Sequence, residues 1–87
     1  MNITREDIIG MSGLDDDEVA AIAEHEHVPE VIAAALADYL LHQQQGAAAI
    51  RRMIKDDIRA ALDRGDKARA SLLFKALHRF VTDHPPV

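Results

Sequence analysis

The run Pro29 to Gln45, PEVIAAALADYLLHQQQ, decides how the rest of the chain must be arranged. Placed at 100° per residue, Val28, Val31, Ile32, Ala35, Leu36, Tyr39 and Leu40 cover about half the circumference of a helix. The opposite side carries Ala33, Ala34, Ala37 and Leu41, with Glu30 as its polar member. A helix apolar nearly all round is expected to be buried nearly all round. The run therefore reads as the central element of a helical fold or as the contact surface of a dimer. Its small alanine side would let another helix approach closely, so Val31, Ala34, Ala37 and Leu41 are the expected interface residues.

Working outward, apolar residues recur with helical spacing and no segment alternates apolar and polar residues over the length of a strand. Upstream, Thr4 suits the cap of a short first helix through Ile8, Ile9 and Met11, which Ser12 and Gly13 stop. Asp15 suits the next cap, with Asp16, Asp17 and Glu18 at the positive end of a second helix and Val19, Ile22 and Ala23 on its buried edge. Pro29 fits the first turn of the long apolar helix, where a missing N–H costs nothing. After the break at Gln43 to Gly46, a fourth helix runs from about Ala47 to Arg64, with Ile50, Ile54, Ile58, Ala61 and Leu62 on one stripe. Gly65 and Asp66 read as a left-handed helix stop followed by a helix cap, which makes the Arg-Gly-Asp at 64–66 a tight joint. The last helix, about Lys67 to Thr82, is expected to bury Leu72, Leu73, Ala76, Leu77, Phe80 and Val81 and to end before Pro85. The expectation is an all-α protein: a single domain, 1–87, built as a compact bundle of about five helices, a short helical pair followed by three longer ones.

A chain of 87 residues buries only ~60 to 65% of its unfolded surface, so its core is small. It has no cysteine, which excludes disulfide staples and thiolate zinc sites. The start MNITREDIIG lacks the basic and apolar regions of a secretory signal, and no stretch approaches the ~20 apolar residues of a membrane span. A cytoplasmic protein is the expectation. The net charge of −5 hides a division. Residues 1–45 hold one basic and ten acidic side chains, net −9, whereas residues 46–87 hold nine basic and five acidic, net +4. Halves of opposite sign are expected to face each other, within one chain or across a dimer.

The segment Glu24 to Glu30, EHEHVPE, is the leading candidate for chemistry. Histidines two apart lie on different faces of a continuous helix, so His25 and His27 would share an ion only where the backbone is leaving the helix. Zinc or another divalent ion would then need Glu24 and Glu30 as further ligands. The His-Glu-x-x-His pattern of zinc proteases is absent, because Pro29 stands where the second histidine belongs. The competing reading is a joint between two helices, with histidine near one helix end and Pro29-Glu30 starting the next. Asp38 and His42, one turn apart, resemble half of a catalytic pair, but there is no cysteine and neither Ser12 nor Ser71 sits in a nucleophile motif. With no glycine-rich phosphate loop either, the chain does not read as an enzyme.

The spacing of Ile8, Gly13, Leu14, Val19 and Ile22 resembles the helix-turn-helix of transcription regulators. It departs from that family on the surface that would face DNA, where Asp15, Asp16, Asp17 and Glu18 repel phosphate. Over most of its length the chain also resembles a group of short bacterial helical proteins that share the segment found here at His25 to Glu30 and a terminal segment found at Arg79 to Pro85. That resemblance implies a compact helical domain and carries no site with it. The first functional reading is thus a non-catalytic protein-interaction or assembly module that forms a homodimer or binds another protein. A metal or small-ligand binding protein using His25 and His27 is the second, and a nucleic-acid regulator the third.

Overall fold

A computed structural model describes residues 13–85. They form four helices: α1 (Asp16–Glu26), α2 (Glu30–Leu41), α3 (Gly46–Asp63) and α4 (Lys67–Asp83), with no strand among the described residues. About five helices are expected from the sequence; the short one between Thr4 and Met11 lies outside the described residues. Among the described residues no helix is long and apolar enough to cross a membrane.

Each helix boundary has a local cause. At the start of α1 the Asp15 side chain accepts from the Glu18 N–H at 3.0 Å and the Glu18 side chain accepts from the Asp15 N–H at 3.0 Å, a reciprocal capping box. That helix ends on His27, which takes left-handed geometry at φ 56° while the Val28 N–H closes on the Ala23 carbonyl at 3.1 Å. Pro29 is the cap of α2, one position before the first turn expected for it. Gly65, at φ +75°, turns the chain between α3 and α4, and Asp66 caps α4 by accepting from the Arg69 N–H at 3.0 Å. Gly46 opens α3 where that helix meets the end of α2 so closely that a Cβ would lie 1.4 Å from the Leu40 carbonyl oxygen.

The core draws on all four helices: Val19 and Ile22 of α1, Ala33, Ala34 and Ala37 of α2, Ile50, Ile54, Ile58 and Ala61 of α3, and Ala70, Leu73 and Phe80 of α4. Ile22, Ile50, Ile54, Leu73 and Phe80 are fully buried, each contributing roughly 1.5 to 3 kcal/mol of hydrophobic stabilisation. The helix that packs on all three others is α1, whereas α2 packs on α1 and α3. This changes the part expected of the long apolar helix. It is not the centre of the bundle. It turns its alanine face inward, and Val31, Ile32 and Tyr39 stand 47%, 53% and 61% exposed. Small side chains let α2 lie close against its neighbours, and only one of two apolar faces can be turned inward there.

The divided charge is resolved within one chain. Asp15 before α1 pairs with Arg79 of α4, and Glu24 near the end of α1 pairs with Arg69 of α4. Both ends of α1, from the acidic half, are thereby tied to the basic C-terminal helix.

Candidate functional site

The end of α1 and the middle of α3 enclose a cleft of about 260 Å³ lined by Glu24, His25, His27, Asp56, Asp57, Ala60 and Arg64. Its residues converge because α1 ends at His27 just where α3 passes beneath it. His25 spans the two helices: its Nδ1 lies 2.9 Å from Glu26 Oε2 and its Nε2 3.2 Å from Asp56 Oδ2. Carboxylates at both ring nitrogens favour the imidazolium, which donates at both. Burial pulls the His25 pKa down, but the bonds to Glu26 and Asp56 and the charge of Asp57 outweigh it and hold the pKa above the ordinary histidine value.

Glu24 is engaged on the other side of the cleft. Its Oε2 accepts from Arg69 Nε at 2.9 Å and from Arg69 Nη2, and its Oε1 lies 3.8 Å from Arg64 Nη2. Asp57 differs from both neighbours. It is only 6% exposed, and its Oδ2 is buried without a hydrogen-bond partner. Burial pushes its pKa up to about 6, with His25 and Arg69 lowering it and Glu24 and Asp56 raising it.

The expected metal ligands are brought together in part. Glu24, His25 and His27 share the cleft, while Glu30, at the start of α2, is not among its lining. Among the described residues no group of three or more His, Asp or Glu is placed to hold a metal ion. The left-handed His27 and the N–H of Val28 make EHEHVPE the helix joint that competes with the metal reading. Asp38 and His42 are both exposed, and the imidazole Nδ1 sits 2.7 Å from the Asp38 backbone carbonyl, as a local helix contact. Of the expected interface residues, Val31 is exposed and Leu41 half-buried. Ala34 and Ala37 are 1% and 0% exposed, so they belong to the core and are not free to meet a partner.

Sequence reasoning missed two buried carboxylates. Asp57 sits on the Ile50, Ile54, Ile58, Ala61 stripe, three residues after Ile54 and four before Ala61, and that register was its signal. Glu18 is the other: expected as a solvated charge at a helix end, it is 2% exposed. Also missed is a groove of about 320 Å³ on the outer side of α3 and α4, lined by Lys55, Ile58, Arg59, Leu62, Phe74 and Leu77. Leu62 and Leu72, expected in the core, are 53% and 48% exposed, as is Phe74 at 53%.

Comparison with family models, curated proteins and solved structures finds no significant match to this chain.

Proposed function

We propose that this protein is a non-catalytic interaction module that pairs with a second copy of itself through the outer face of α2. The observation that carries the reading is the exposure of Val31, Ile32 and Tyr39, with Ala35 exposed among them, on a helix whose other face is already committed to the core. Exposed apolar side chains gathered on one helix face mark contact surfaces more often than singly scattered ones do. Ile32, Ala35 and Tyr39 follow the three-four spacing of a helix–helix seam. An antiparallel pair centred on Ala35 lets the two helices approach at that small residue and sets Tyr39 of one copy over Val31 of the other. With twelve residues, α2 is ~18 Å long. A seam of that length falls below the ~1,600 Å² of a standard interface, so the dimer is expected to be weak and concentration-dependent.

Light scattering of tag-free protein over a wide concentration range tests this. Mass should rise towards twice the monomer, unaffected by EDTA or zinc. Ala35→Glu, at an exposed position that suits a helix former, should abolish the rise while leaving helical content unchanged. A wild-type monomer at every concentration would remove the proposal.

A further inference from the structure

The cleft beside α1 contains one group that its own chain does not satisfy. Glu24 is engaged by Arg69 and Asp56 by His25, but Oδ2 of Asp57 is buried without a donor. A buried carboxylate lacking hydrogen bonds is costly, and native structures answer such groups with water, an ion or a ligand. Three carboxylates, Glu24, Asp56 and Asp57, line the space against one guanidinium, Arg64, and two histidines, with Arg69 behind Glu24. Anions are therefore disfavoured. A divalent metal is disfavoured as well: three or more ligands are not placed for it among the described residues, both His25 nitrogens are engaged, and Arg64 stands in the wall.

We propose that this cleft binds a primary alkylammonium group, with Asp57 as its buried anchor. An ammonium has three N–H donors and no acceptor. One donor would meet Asp57 Oδ2 and a second the neighbouring Asp56 carboxylate, while the methyl of Ala60 offers apolar contact to the attached methylenes. The volume of about 260 Å³ admits such a head and a short chain and little more. The same chemistry is carried by a free diamine and by a lysine side chain.

The test is a titration of ¹⁵N-labelled full-length protein with n-butylammonium chloride at about pH 8, where Asp57 is ionised, against tetramethylammonium chloride at equal ionic strength. Saturable shifts are expected at His25, Asp57, Ala60 and Arg64 with butylammonium and not with tetramethylammonium, which has no N–H. Asp57→Asn should weaken binding by about tenfold or more, the loss of a charge-assisted hydrogen bond. Should that variant fold poorly, wild type at about pH 5 provides the same loss, since Asp57 is then neutral. Tighter binding of putrescine than of Nα-acetyl-lysinamide would assign a free polyamine, and the reverse order a lysine side chain. The proposal is overturned by equal shifts with tetramethylammonium, by unchanged affinity in Asp57→Asn, or by Mn²⁺ displacing butylammonium from the cleft.

Discussion

Replacing Glu18 by glutamine should stabilise this protein, and should do so only at neutral and alkaline pH. The carboxyl of Glu18 is 2% exposed; one oxygen accepts from the Asp15 N–H and the other is buried without a partner. Burial is the largest influence on it, opposed by the hydrogen bond from the Asp15 backbone and reinforced by the charges of Asp15 and Asp83, and the pKa rises from 4.5 to about 7. A folded pKa above the unfolded one means that the folded state holds the proton more tightly between these values. Stability is then complete below about pH 4.5, falls as pH rises through the window, and is reduced in full above about pH 7. At 1.36 kcal/mol per pH unit the reduction reaches about 3 kcal/mol, a large part of the ~5 to 15 kcal/mol that holds a small domain folded. Glutamine keeps an oxygen for the Asp15 N–H, so the cap survives, and its amide nitrogen faces the Asp15 and Asp83 charges as a donor. Urea unfolding at about pH 8 and pH 5 should show Glu18→Gln more stable than wild type by about 3 kcal/mol at the first and about 1 kcal/mol at the second, with an unchanged denaturant slope. A variant equally destabilised at both pH values would refute the reasoning, because it would show the cap to need a charge that costs nothing to bury.

The same logic applies to Asp57, whose pKa rises from 3.8 to about 6: Asp57→Asn should add up to about 3 kcal/mol above pH 6 and little below pH 4, measured by the same unfolding curves. His25 has the opposite sign. Its contribution is present below the unfolded value of 6.5 and lost as pH rises through the higher folded value, so Asp56→Asn should destabilise at pH 6 and be close to neutral at pH 9. Gly46→Ala should cost about 3 kcal/mol or more, because the added Cβ meets backbone at Leu40. Gly65→Ala meets nothing within 4 Å and should cost only about 1 to 2 kcal/mol for its left-handed backbone; thermal unfolding of the two variants side by side separates collision from backbone strain.

The turns were the most legible part of this chain because their chemistry is local. Asp15, Gly65 and Asp66 perform the capping and turning parts that their residue types imply, needing only neighbours within a few positions. The stripe Ile50, Ile54, Ile58, Ala61 was equally plain, since one side of that helix is charged and its phase is fixed. Phase is what α2 lacks. When both faces are apolar, periodicity identifies a helix without saying which face turns inward, and the choice falls to the packing distance that alanine permits and leucine or tyrosine does not. Leu62 and Leu72 illustrate a weaker form of the same ambiguity, lying at the margins of their stripes and turning outward.

The buried carboxylates were illegible for a further reason: at single-residue resolution an acid next to an apolar stripe and an acid within it look alike, and position 57 is distinguished only by its spacing from both Ile54 and Ala61. Burial there also explains why α1 matters more than its length implies. It contacts every other described helix, and each of its ends joins an ion pair to α4 with a carboxylate held out of water, Glu18 in the helix and Asp57 across from it on α3. Such groups reduce stability above neutral pH, so a core as small as this one would gain from apolar or amide replacements at both. At Glu18 the capping bond to Asp15 accounts for a polar residue but not for a charged one. At Asp57 no bond within the chain accounts for even that, and the cleft it lines, walled by His25, Asp56 and Arg64, is where an answering cation would have to come from outside.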